Sequence, residues 1–272
     1  MRVAANPRAH GVRRANIAAW LARFVRAPRP LAARARHRTF WYIAAAVAFT
    51  VVTLALATML PDAVAVAQAR RLPQALVTLF NEITDFGKSG WFLWPLGVLL
   101  LAIAAASGFV PRMTALLLDA VAVRIMFLFA AIALPGLFTN LIKGLIGRAR
   151  PFVSGIADPY VFNSFVWRPE YASLPSGHAT TALSVAVALG ALWPRARFLL
   201  WGYAALICIS RVVITAHFPS DVVAGAVVGG VGALLVRNFF AARGLGLGIG
   251  LDGKVHPLPG PTWRRITRVA VR

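Results

Sequence analysis

Three short polar clusters interrupt a largely apolar chain of 272 residues, and each carries side chains suited to handling phosphate. The first is Lys143 and, after six residues, Arg150-Pro151, with Arg148 between them. The second is Pro175-Ser176-Gly177-His178, and the third is Arg211, five residues, His217, three residues, Asp221. Arginine presents a fork of donors that fits phosphate oxygens, and lysine presents a compact charge. Lys143, Arg150 and Arg211 together can neutralise a phosphate dianion and the charge its transition state adds. Taken singly, each reads more readily as an interfacial cation anchoring a helix end.

Ser176-Gly177-His178 has the form of a helix start. Serine is a good N-cap, Gly177 admits close approach to the backbone, and free N–H groups there point at an anion. His178 can protonate a departing alkoxide; an ordinary cap with an exposed histidine is an equally good reading of this cluster alone. Phe218-Pro219-Ser220-Asp221 also reads as a helix start, with proline at its first position. Asp221 then lies in the first turn, where its carboxylate reaches back to His217. A carboxylate on one ring nitrogen fixes the tautomer, frees the other nitrogen to attack and stabilises the charge that develops. The bland reading of this pair is a surface His–Asp contact capping a helix.

These clusters need elements to carry them. The chain is 59% apolar and only 14% charged, against about 25% charged in soluble domains. A bilayer core needs about 20 apolar residues per helix. Six stretches meet or approach that: Trp41 to Leu60, Trp91 to Val110, Val121 to Ile142, His178 to Trp193, Phe198 to Ile214 and Pro219 to Phe240. The expected fold is an all-α, polytopic membrane bundle of six transmembrane helices. Its organisation is a basic tail (1–39), a membrane domain (40–240) and a second basic tail (241–272). Ala63 to Phe86, interrupted by Pro73, suggests an interfacial helix, and the Gly-, Pro- and Arg-rich tail after Arg243 suggests irregular chain. Asp119 and Arg124, near one end of the third segment, receive no role. Cys208 is the one cysteine, which excludes a disulfide framework.

The net charge of +21 raises nucleic acid as a partner, but its distribution argues otherwise. Most of the 29 lysines and arginines lie in the tails and in the loops at Arg112 and at Arg195 and Arg197. The positive-inside rule makes those parts cytoplasmic, with the opposite loops facing the periplasm of a bacterial inner membrane. All three polar clusters then fall at outward helix ends, where four helix termini meet. Two histidines and one acid make a poor metal site where cations occupy the places of ligating carboxylates, so neither metal nor other cofactor is expected.

The clusters resemble the signature of the type 2 phosphatidic acid phosphatase family, which includes vanadium haloperoxidases and bacterial acid phosphatases. Lys143 with Arg150-Pro151, Pro175-Ser176-Gly177-His178, and Ser210-Arg211 with His217 and Asp221 all match it in spacing and order, over about residues 40–240. The resemblance implies that His217 is the nucleophile, Asp221 its orienting partner and His178 the acid for the leaving group. It assigns Lys143, Arg150, Ser176, Gly177 and Arg211 to phosphate binding. It also implies metal-independent hydrolysis of a lipid phosphate or diphosphate through a phosphohistidine. Phosphatidic acid, phosphatidylglycerol phosphate, undecaprenyl diphosphate and lipid A phosphate all stand as substrates, with membrane lipids as the other partner. The runner-up is a phosphotransferase that passes the phosphoryl group to a second lipid. A vanadium haloperoxidase or a non-catalytic transporter or scaffold fits less well.

Overall fold

The computed structural model describes residues 62–260 apart from position 108, together with scattered positions between 22 and 51. Most of the expected first membrane segment, Trp41 to Leu60, most of the basic N-terminal tail, and residues 261–272 of the C-terminal tail therefore lie outside the described residues. Among the described residues from Asp62 onward, the α-helices in order are α1 (Asp62–Ala69), α2 (Gln74–Asp85), α3 (Gly90–Ala106), α4 (Arg112–Ile146), α5 (Gly177–Leu192), α6 (Arg197–Val213) and α7 (Pro219–Arg243). Among the described residues, four stretches are long and apolar enough to cross a membrane, namely Gln74–Ala106, Met113–Ile146, Pro194–Val213 and Pro219–Arg243, and α5 is a shorter apolar helix.

The local chemistry accounts for the boundaries. Pro111 precedes α4 and Pro219 opens α7, positions where a missing N–H costs nothing. Gly147 ends α4 in the left-handed conformation, where any Cβ would collide with the Asn163 carbonyl. Pro73 splits the segment expected as one interfacial helix into α1 and α2. α2 does not lie alone on a surface; it leans on α6 and buries Thr84 in its last turn.

α5 is the central helix, packed against α4, α6 and α7. Its face is built of alanine, serine and threonine, which lets neighbouring backbones come close, the usual way helices associate within lipid. The core between α4, α5 and α7 gathers Phe127, Ala131, Ala188, Ala233 and Phe240, with the Phe127 and Phe240 rings 5.4 Å apart. Large apolar side chains such as Trp94, Leu101, Leu137, Phe198 and Leu199 point outward, as a lipid-facing surface requires.

The chain after Arg243 departs from the irregular tail expected of it. Gly244 ends α7, and β1 (Leu247–Ile249) pairs antiparallel with β2 (Val255–Pro257), Gly248 opposite His256. Leu245 and Leu247 are buried in the main core, and their burial anchors the hairpin. Glycine and proline content alone conceals this, because the two leucines stabilise the hairpin only through contact with α7 and its neighbours.

Candidate active site

α4 and α6 finish, and α5 and α7 begin, at one end of the bundle. Lys143 lies in the last turn of α4 and Arg211 in the last turn of α6. His178 is in the first turn of α5, and Asp221 in the first turn of α7. The Lys143 ammonium passes over Gly177, 3.6 Å from where a Cβ would stand. His178 lies within electrostatic reach of Arg211, His217, Lys143 and Arg150. Arg150 is held from the loop after α4: its amide donates to the Glu170 carbonyl at 2.8 Å and its Nε to the Pro169 carbonyl at 2.9 Å. All eight residues singled out by type and spacing thus gather at one place.

Helix packing makes this possible. A Cβ on Gly225 would collide with the Ser176 carbonyl, and one on Gly229 with that of Thr180. This pair, one turn apart on α7, lets the start of α5 sit directly on α7. Ser176 stands at the N-cap position but caps nothing; its hydroxyl is fully buried and has no partner. Arg211, 5% exposed, donates from Nη1 to Thr84 Oγ1 at 2.8 Å, while its Nε is buried without a partner. Buried polar groups without partners are rare, and here both belong to the cationic cup. They suit an anion that would satisfy them.

His217 is 1% exposed and sits between α6 and α7. Its amide and that of Ala216 both bond to the Arg211 carbonyl, at 3.3 and 3.1 Å. Nδ1 faces Asp221 Oδ2 at 3.7 Å and Ser173 Oγ at 3.5 Å. The first distance exceeds a closed hydrogen bond. With the ring neutral it is a close polar approach, which becomes an ion pair only when the imidazole is charged. With Nδ1 on that side, Nε2 is the nitrogen left to react. Burial pushes the imidazole down to about 4, and Lys143 and Arg150 add to this, against the pull of Asp221. Burial likewise lowers Arg150, countered by Asp221 and Glu170.

Asp221 is itself tightly held. Oδ2 accepts from the Ser173 hydroxyl at 2.6 Å and from the Phe218 amide at 2.9 Å, and Oδ1 accepts from Arg148 Nη1 at 2.6 Å. A neutral, oriented imidazole beside three cations can attack phosphorus, and the cations can hold the phosphate oxygens. Among the described residues, no group of three or more His, Cys, Asp or Glu side chains is placed to hold a metal ion.

Residues 124–245 match the family described as the PAP2 superfamily. The chain is 33% identical over 206 residues to a lipid A 1-phosphatase of Rhizobium etli, covering 75% of this chain and 88% of that protein. It is 33% identical over 189 residues to a lipid A 1-phosphatase of Rhizobium johnstonii, covering 68% and 76%. The chain belongs to the PAP2 superfamily. It is an integral membrane phosphatase of that group. The fold is similar to the crystal structure of the first transmembrane PAP2 type phosphatidylglycerolphosphate phosphatase from Bacillus subtilis. That match has a TM-score of 0.52 and 22% identity, and covers 72% of this chain and 94% of the other.

Several residues of this PAP2 site were not singled out from sequence. Ser173 stands between Asp221 and His217, and Thr84, from α2, braces Arg211. Arg148, noted only as lying between Lys143 and Arg150, is buried and bonded to Asp221 and Asp62. The one available signal was charge. Arg148 is a cation two residues from the matched arginine, and Asp62 an acid just past an apolar segment, in a chain with only 8 acidic residues.

Proposed function

We propose that this membrane phosphatase removes a phosphate from a lipid phosphomonoester or diphosphate at the periplasmic face of a bacterial inner membrane, through a phosphohistidine on His217. The observation that carries the reading is the buried imidazole of His217, backed by Asp221 and facing a cup whose Ser176 Oγ and Arg211 Nε have no partner. Lys143, Arg150, Arg211, Ser176 and the backbone at Gly177 bind the phosphate. Nε2 of His217 attacks phosphorus in line, and the bond to the lipid oxygen breaks. His178 delivers the proton to that oxygen; the bound phosphate's negative charge is what lets the ring hold a proton among cations. Water then attacks phosphorus, His178 takes its proton, and the phosphorus–nitrogen bond breaks to release phosphate.

The distribution of lysine and arginine supports cytoplasmic tails flanking a membrane phosphatase domain, residues 40–240, with the cup on the opposite side. The 1-phosphate of lipid A is the first substrate to try, because two relatives matched over most of their length act on it. Purified protein is offered lipid A, phosphatidylglycerol phosphate, phosphatidic acid and undecaprenyl diphosphate, alongside His217→Ala. Phosphate release from one or more by the native chain, and none by the variant, is the expected outcome. Turnover by His217→Ala at the native rate overturns the mechanism, and labelled phosphate recovered in lipid instead of water identifies a transferase.

A further inference from the structure

A second buried acid, Asp62, the first residue of α1, stands just behind His217 and Asp221. Asp62 is 4% exposed, and both its oxygens are engaged. Oδ1 accepts from the Ser220 amide at 3.1 Å, and Oδ2 accepts from Arg148 Nη2 at 2.9 Å and from the Ser220 hydroxyl. Arg148 spans the space between two carboxylates. Its Nη1 donates to Asp221 Oδ1 at 2.6 Å and to Ser220 Oγ at 2.7 Å, and its Nε to the Pro159 carbonyl at 3.0 Å. The guanidinium lies 4.6 Å over the Phe218 ring. Every one of these bonds is to a protein group and Arg148 is buried, so it is a cation of the site that is held by protein.

We propose that Asp62 is a positioning residue of this phosphatase, acting through Arg148 on Asp221 and thereby on His217. The proposal rests on Asp221 being the partner of His217. Its first ground is geometric. A guanidinium is a rigid planar fork, and pulling its two ends toward Asp62 and Asp221 fixes where Asp221 Oδ1 sits. Oδ2 is then left for the side that faces His217.

The second ground is charge. Arg148 alone would offset the negative charge of Asp221 and weaken its hold on the ring. With Asp62 included, the three groups carry one net negative charge. That charge matches the positive one the His217 ring acquires when Nε2 bonds to phosphorus. In a buried site such balances act strongly, because little solvent screens them. A purely structural role, neutralising a buried arginine, would use the same contacts but would not single out the chemical step.

The full-length protein in detergent separates the two. Asp62→Asn, Asp62→Glu and Ser220→Ala are measured with native Asp221 and with Asp221→Asn. Steady-state kinetics accompany rapid acid-quench trapping of phosphohistidine. Asp62→Asn is expected to lower kcat and the rate of phosphohistidine formation by about ten- to a hundredfold, as loss of a supporting partner does. KM should stay within about twofold, since the phosphate cup is untouched. Asp62→Glu recovers part of the loss. In the Asp221→Asn background, Asp62→Asn should cost no more than about a further twofold, because residues acting through one another are not additive. Ser220→Ala follows the same pattern with smaller effects, and decides the matter if Asp62→Asn does not fold. A kcat near the native value, or an equal loss in both backgrounds, overturns the proposal. Native protein that traps no phosphohistidine, or a turning-over His217→Ala, fails the underlying reading instead and is seen before any Asp62 variant is scored.

Discussion

The amide of Ser176 donates to the carbonyl of Asp221 at 2.8 Å, so the start of α5 and the start of α7 are joined through main chain. One hydrogen bond thereby ties the wall of the cationic cup to the residue behind His217. Gly225, one turn along α7, is what lets the two strands of backbone meet.

That contact predicts opposite outcomes for two glycines of α7. Gly225→Val must displace Ser176, and overpacking of this kind costs about 1–3 kcal/mol. Phosphate release should fall with it. Gly230 has nothing within 4 Å of its Cβ position, so Gly230→Ala should be neutral or slightly stabilising. Thermal unfolding in detergent and turnover check both, and equal behaviour of the two variants would contradict the packing described.

Asp221→Asn keeps the shape of the side chain and removes its charge. Turnover is expected to fall by about 10²–10⁴-fold with KM little altered. Ser173→Ala removes one donor to Oδ2 yet leaves the carboxylate, so its loss should stay under about tenfold, one hydrogen bond's worth. Steady-state kinetics on one substrate rank the two, and the reverse order would remove Asp221 from its assigned place.

The pH response of His217 follows from its burial. Its value is lowered to about 4, below the ordinary imidazole value of about 6.5. The ring is therefore neutral above about pH 4 in the folded, unliganded protein. The unfolded chain takes up a proton once the pH falls below about 6.5. The stability this group lends is thus present above about pH 6.5 and is lost as pH falls from there toward 4. Histidine-labelled protein, with His217→Gln to assign the signal, should show a ring that does not titrate between about pH 5 and 8. A midpoint near 6.5 would contradict this.

Arg211 owes its position to Thr84 on α2. Thr84→Val keeps the volume and deletes the acceptor at 2.8 Å from Nη1. The loss of one such bond is about 0.5–1.5 kcal/mol, which is about two- to tenfold in binding. Competitive inhibition by inorganic phosphate should weaken by that factor, and inhibition at the native level would leave Thr84 without influence on the cup.

A chelator such as EDTA is expected to leave turnover unchanged, because in the proposed mechanism the clustered cations Lys143, Arg150 and Arg211 supply the positive charge around phosphate. Strong inhibition that added metal reverses would redirect the mechanism through a bound ion.

Sequence by itself determined which residues gather and on which elements. Lys143, Arg150, Ser176, Gly177, His178, Arg211, His217 and Asp221 were legible because helix caps, motif spacing and apolar run lengths are local properties of the chain. The helices α3 to α7 followed from the same lengths, since each apolar run must hide its backbone in a helix. The tertiary structure alone decided the support around them. Asp62 reaches Arg148 and Ser220, Thr84 reaches Arg211, and Leu247 anchors a hairpin on the core. A buried charge must find a partner, but its identity is set by how distant helices pack, which no local pattern records. Ser176 shows the same limit from the other side. Its place at a helix start was readable from sequence, whereas the buried, unpartnered state of its hydroxyl exists only because Gly225 lets α7 close over it.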